Sequence, residues 1–300
     1  MHEIDRIIAA AKIVINDGKR GILVTIIGTR GSTYRRAGAR AVISEDGESY
    51  GTISGGCLER DLAERAKSWL IDFQPRVITY DASRADDVVF GLGMGCRGET
   101  DMLVEPFDAA HPPCLVTEFR WNGRQPVTWT SGSLVEVIQP PRAIAIFGSG
   151  RDVEPVARLA DTIGWNATIV GPRQPFDAAA FDAAVVMTHN FMQDLELLPV
   201  LLRSAIPYVG LLGPKSRADD LLAQAGLERG RLHNPVGLDL GGETPEEIAL
   251  AIVAEIQAFL GGRVGRSLSE TTGSIHAERA PSSAASRHLL PASGEKGTRD

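Results

Sequence analysis

Cysteine is scarce. The 300-residue chain has three, Cys57, Cys96 and Cys114, far apart and with no CxxC pair. That spacing excludes a zinc ribbon and a thioredoxin-type redox centre, and separated thiols in odd number suit a reducing compartment, so a cytoplasmic protein is expected. Long apolar runs are also missing. No stretch reaches the roughly 20 residues of a membrane span, and the opening MHEIDRIIAAAKIVINDGKRG carries acids and lacks the apolar core of a signal peptide. Lysine is nearly absent, five of 31 basic residues, so arginine carries the positive charge. The net charge of −7 argues against a broad nucleic-acid footprint. What the chain has in quantity is glycine, 32 residues, which marks tight turns or backbone that approaches a ligand. With 43% hydrophobic and 23% charged residues it is globular in composition, and 300 residues suggest two domains.

Ile4, Ile7, Ile8, Ala11, Val14 and Ile15 recur at helical spacing and predict an opening helix that Gly18 stops. Residues 21–28 read as a buried strand, 29–38 as a polar loop, and 39–44 with 48–53 as a hairpin about Asp46-Gly47. Leu58, Leu62, Ala66, Trp69 and Leu70 predict a second helix, 76–80 and 101–105 further strands, and the glycine-rich 90–98 no regular element. Short strands are expected within 115–138, with Cys114 a packing residue ahead of one, and Gln139-Pro140-Pro141-Arg142 reads as a linker. Beyond it strands (143–147, 167–170, 183–187, 208–212) alternate with helices (152–163, 193–203, 215–225). Val153, Val156, Ala157, Ala160 and Ile163 point inward from the first of these helices. A last helix starts at Thr244-Pro245-Glu246-Glu247, with an N-cap, a proline at N1 and a glutamate at N3. The fold class is therefore α/β: an N-terminal α/β domain (1–139), a C-terminal Rossmann-like parallel-sheet domain (142–262) and a disordered tail (263–300).

Several segments carry chemistry. Phe147-Gly148-Ser149-Gly150 leaves a strand and opens a helix, where glycines let backbone N–H groups approach a pyrophosphate. Val153 stands at the third glycine position, and Val170-Gly171-Pro172-Arg173 lacks the acid that holds a ribose 2′-OH. NAD(P) or another nucleotide therefore competes with a packing role for Gly148 and Gly150, and Arg173 would meet a phosphate instead. Lys215 and Arg217 open a helix after a strand, as an anion pocket or a solvated turn, and His189 follows another strand, as a ligand residue or a surface one. In the first half Arg30, Arg35, Arg36 and Arg40 fall within eleven residues, with Gly31 and Ser32 between them. Such a cluster either gathers a phosphate or oxyanion or is a solvated loop. Ser54-Gly55-Gly56-Cys57-Leu58-Glu59 puts Cys57 at a helix N-terminus, which favours the reactive, metal-binding thiolate. Cys96, between Gly95 and Arg97, has similar company.

Taken in order, RGSTYRRAGAR (30–40), SGGCLE (54–59), GLGMGCRGETDMLVEP (91–106), IAIFGSG (144–150), VVMTHNF (185–191), YVGLLGPKSR (208–217) and NPVGLDLGGETPEEIALAIVAEI (234–256) resemble the XdhC/CoxI family over about 1–265. The GLGMGCRG segment resembles its CoxI-like branch. The resemblance implies an accessory protein for molybdenum hydroxylases such as xanthine dehydrogenase, a cofactor chaperone rather than a turnover enzyme. Such a protein binds and protects a molybdopterin-type molybdenum cofactor. It promotes exchange of a Mo=O oxygen for sulfur by a partner cysteine desulfurase, and delivers the product to the apo-hydroxylase. The family also implies a homodimer. Carried over by motif, the cofactor-binding residues are Arg30, Gly31, Ser32, Arg35, Arg36, Gly38 and Arg40, then Ser54, Gly55, Gly56, Cys57 and Glu59, with Cys57 toward molybdenum. These are expected to line one cleft facing the strand ends of the second domain. An NAD(P)-dependent oxidoreductase and a nucleotide-binding regulatory protein are the competing readings.

Overall fold

The computed structural model describes residues 1–81 and 98–270. The chain divides into two compact units, Met1–Pro141 and from Arg142 onward.

In the first unit, α1 (Glu3–Asn16) buries Ile4, Ile7, Ala10, Ala11 and Val14 and ends before Gly18, whose φ of +69° suits glycine. A five-stranded antiparallel sheet follows, in the order β3-β2-β1-β5-β4: β1 (Gly21–Gly31), β2 (Arg40–Ser44), β3 (Ser49–Gly51), β4 (Arg76–Asp81) and β5 (Gly98–Phe107). The two-residue alternation of a strand sorts β1 between two layers. Ile22, Val24 and Ile26 pack under α2 (Cys57–Asp72), against Leu58, Leu62, Ala66, Trp69 and Leu70. Leu23 packs under α1, with Val42 and Phe107. β1 is longer than the sequence suggests. After a register shift at Ile26/Gly28 it keeps pairing with β5 through Thr29↔Thr100, Arg30↔Glu99 and Gly31↔Gly98. Arg30 and Gly31 therefore sit on a strand and not in a loop.

A short helix, α3 (Cys114–Thr117), and a separate hairpin, β6 (Val127–Ser131) with β7 (Leu134–Ile138), complete the unit. Cys114 was expected to pack ahead of a strand. It instead opens α3 and is exposed, and its neighbour Leu115 fills the core.

The second unit is a parallel sheet in the order β12-β11-β10-β8-β9: β8 (Ala143–Phe147), β9 (Asn166–Val170), β10 (Ala183–Val186), β11 (Tyr208–Leu211) and β12 (Leu232–His233). Ile144 and Ile146 face α4 (Val153–Thr162) and α7 (Pro245–Leu260). Ala145 and Phe147 face α5 (Phe191–Arg203) and α6 (Lys215–Ala225). The strand order reverses between β8 and β10, which makes their carboxyl ends the switch point where open α/β sheets bind ligands. Ile163, expected inward, is the C-cap of α4 and 48% exposed, because its N–H closes the last turn on Leu159. α7 starts as the sequence predicts: the Thr244 hydroxyl accepts from the Glu247 N–H at 3.3 Å, and the Glu247 carboxylate accepts from the Thr244 N–H at 2.9 Å. Residues 263–270 are exposed and include one 3-10 turn, Leu268–Glu270, while 271–300 lie outside the described residues. Among the described residues no helix is long and apolar enough to cross a membrane.

Candidate functional site

The turn before α2 is built around one carboxylate. Gly55 and Gly56 take φ of +88° and +120°, which only glycine adopts without strain, and they swing the chain into the helix. Gly56 has no side chain to cap with, so its neighbours do the work. The Ser54 hydroxyl accepts from the Leu58 N–H at 2.9 Å, and the Glu59 carboxylate accepts from the N–H groups of Ile53, Ser54 and Gly56 at 2.8, 2.9 and 2.9 Å. Ser54 also donates its hydroxyl to Glu59. Burial pushes the Glu59 carboxyl up, but the Ser54 hydroxyl and the amides outweigh it and hold the group below its ordinary range. Glu59 is thus a positioning residue turned to its own backbone. Cys57 begins α2 exposed, and its thiol donates to the Ser54 hydroxyl at 3.5 Å.

Cys57 borders a small cleft of about 50 Å³, with Ser32, Thr33, Tyr34, Arg35, Ser54, Tyr80, Gly98 and Thr100 among its walls. The structure therefore brings the two predicted motifs together through Ser32, Arg35, Ser54 and Cys57. One close contact joins these motifs and another holds the first of them against β5. The Tyr34 ring lies 3.7 Å from where a Cβ on Gly55 would stand, and any side chain on Gly98 would collide with the Ser32 carbonyl and Thr33. The Tyr80 hydroxyl donates to Asp61, and burial first, then that carboxylate, raises its pKa. Sequence reasoning passed over Thr33, Tyr34, Tyr80 and Thr100. Cys96 lies outside the described residues.

The four arginines of the first motif do not share one surface. Arg30 forms a two-point pair with Glu99 across the β1–β5 ladder, at 2.6 and 2.7 Å. Arg35 donates to both Glu3 oxygens, at 2.6 and 2.8 Å, and to the Thr52 carbonyl. Arg40 is 4% exposed, pairs with Glu136 and donates to the Gly38 carbonyl and Ser131, tying the β6–β7 hairpin to β2. It borders a different cavity from Arg35. A guanidinium already paired with a carboxylate offers an anion little. Only Arg36 of the four is exposed without a side-chain hydrogen bond or ion pair among the described residues. No group of three or more metal-ligating side chains gathers among them either, which leaves Cys57 as a single donor.

In the second unit Gly148 and Gly150 do sit at the switch point, but they serve the protein. A Cβ on Gly148 would strike the Met187 carbonyl. Over Gly150 lies the Asp152 carboxylate, which is hydrogen-bonded to His189 Nε2 at 2.8 Å. The place where a pyrophosphate would approach the turn is thus filled by a negative group. His189 reaches it from a left-handed backbone, φ +53°. Arg217 is committed to Asp194 at 2.6 Å, a carboxylate 2% exposed that also accepts from Thr188, and it stacks over Phe191. Lys215 is exposed at the first turn of α6 after Pro214. A cavity of about 430 Å³ opens beside these residues, and Gly148 and Arg173 of the residues singled out in the sequence line it.

A two-unit α/β protein with a parallel Rossmann sheet and a thiol poised at a glycine turn is the class so defined. Residues 14–81 match the family model described as the XdhC and CoxI family, and residues 144–256 that of the XdhC Rossmann domain. The chain belongs to the XdhC/CoxI family. It is 27% identical to a Bacillus subtilis (strain 168) protein named as a probable subunit of xanthine dehydrogenase, over 81% of this chain and 94% of that one. It is 25% identical to the molybdenum cofactor insertion chaperone PaoD of Escherichia coli (strain K12), over 80% of this chain and 83% of that one. A crystal structure of a xanthine dehydrogenase from Bacillus halodurans has the same fold, with a TM-score of 0.71 at 27% identity over 91% of this chain and 98% of that one.

Proposed function

We propose that this protein is a carrier of the molybdenum cofactor, assisting maturation of a molybdenum hydroxylase of the xanthine dehydrogenase type, and not a turnover enzyme. Its relatives named for cofactor insertion and for xanthine dehydrogenase support the reading. The observation in the chain itself that carries it is Cys57, exposed at the lip of a small cleft on a turn whose geometry is fixed by Glu59.

The cargo is an anionic pterin with a phosphate, a dithiolene and an oxo-metal centre. A cleft of about 50 Å³ is too small for the whole of it and suits its metal end. One soft sulfur donor fits a dithiolene-bound metal, and a single exposed ligand is a hold that can be released, as delivery requires. Arg36, exposed and next in sequence to the cleft-lining Arg35, is a cation available to the anionic portion. Sulfuration by a cysteine desulfurase, assembly as a homodimer, a cytoplasmic setting and a CoxI-like client belong to the same proposal, and an accessible Cys57 is compatible with each.

Protein made in a molybdate-fed host and analysed for metal and pterin tests this. Wild type is expected to retain cofactor, Cys57→Ala to lose it about tenfold or more, and Arg36→Ala to lose less. Equal retention in all three overturns the placement at Cys57.

A further inference from the structure

The second unit holds a cavity that the carrier reading does not use. We propose that it binds a flat nitrogen heterocycle carrying a single phosphate, the chemistry shared by a nucleoside monophosphate and a phosphorylated pterin, with Arg173 as the phosphate partner. At about 430 Å³ the cavity is in the range of small-molecule sites, and it lies at the carboxyl ends of β8 and β9. Its walls are mainly apolar. Phe147 and Phe176 meet edge to face with centroids 4.9 Å apart, and Leu197 and Val200 of α5 close the opposite side. Such a slot suits a planar ring.

The polar groups are few and placed. Gln193 and Glu196 offer an amide and a carboxylate, the donor and acceptor pair that an amino-bearing heterocycle edge needs. Arg173 is exposed and makes no side-chain hydrogen bond or ion pair among the described residues, unlike Arg30, Arg35, Arg40 and Arg217. It stands on a left-handed backbone, φ +58°. That turn is pinned by the Gln174 side chain, which accepts from the Gly171 N–H at 3.0 Å. Among the described residues three non-glycines have positive φ, and two of them, Arg173 and His189, follow β9 and β10, the strands on either side of β8, at this one end of the sheet. Strain of this kind collects at ligand sites.

The same geometry limits the ligand. Asp152 lies over Gly150 and repels a pyrophosphate laid along α4, so a dinucleotide gains nothing over a monophosphate. The absence of an acid in Val170-Gly171-Pro172-Arg173 removes the ribose-diol partner of an NAD site.

Calorimetric titration of the full chain with AMP, a pterin monophosphate, adenosine, the unphosphorylated pterin and NAD⁺ tests the site. Binding of either monophosphate, about tenfold tighter than its phosphate-free form, is expected, and which one binds identifies the source. Arg173→Ala should erase that margin. Val200→Trp, at a position 54% exposed where the fold tolerates bulk, should abolish binding of every probe. The proposal is overturned if neither monophosphate binds wild type, if the two variants bind as wild type does, or if NAD⁺ binds more tightly than AMP. Cys57 takes no part in these measurements, so their failure and failure of the carrier reading are separable.

Discussion

The two units differ in how they treat charge. In the first, the charged groups at and beside a cleft of about 50 Å³ are spent internally, Arg35 on Glu3 and Glu59 on three backbone amides. In the second, a cavity of about 430 Å³ is mostly apolar and keeps its arginine unpaired. A cluster of one sign in sequence is thus a poor guide to a binding site. What counts is whether the fold supplies counter-charges first.

The largest effect that would sharpen this contrast is at Arg40. Arg40→Ala leaves Glu136 without its partner in a buried setting and is expected to destabilise the first unit by about 3–5 kcal/mol. Denaturant unfolding measures it, and a change within error would mean the pair is dispensable. Next comes Glu59. Glu59→Ala strands N–H groups of the turn and is expected to cost about 2 kcal/mol. The sign with pH follows from a carboxyl held below its ordinary range. Its contribution is complete above about pH 4.3 and fades as pH falls through the folded value. Stability curves from pH 6 to 3 (a span of about three units around that point) should be steeper for wild type than for Glu59→Gln. The smallest effect is at Arg30, whose pair with Glu99 is solvent-exposed. Arg30→Ala is expected to change neither melting temperature nor cofactor retention measurably. A loss of retention there would restore the arginine cluster as a binding element.

Much of the fold was legible because its signals are local. The helical spacing of Leu58, Leu62 and Ala66, the capping box at Thr244 and the alternation of strands and helices after residue 142 all act within a few residues. The charge pairings were not legible, because Arg35 meets Glu3 across 32 residues, Arg30 meets Glu99 across 69 and Arg40 meets Glu136 across 96. Cys57 at a helix start could be read from the glycine pair ahead of it, but the Tyr34 ring over Gly55 could not. The glycines of Phe147-Gly148-Ser149-Gly150 located the switch point, yet their spacing could not reveal that Asp152 would fill it. Cys114 misled because Pro113 and an apolar run fit a helical turn as well as a strand.

Thiol modification tests the central claim most directly, because the first unit contains its own control. Cys57 and Cys114 are both exposed, and only Cys57 borders the cleft. With the molybdenum cofactor loaded, alkylation of Cys57 by a small reagent should slow about tenfold or more while Cys114 reacts as before. If both cysteines react in loaded protein at the rates seen without cargo, the cofactor is held elsewhere.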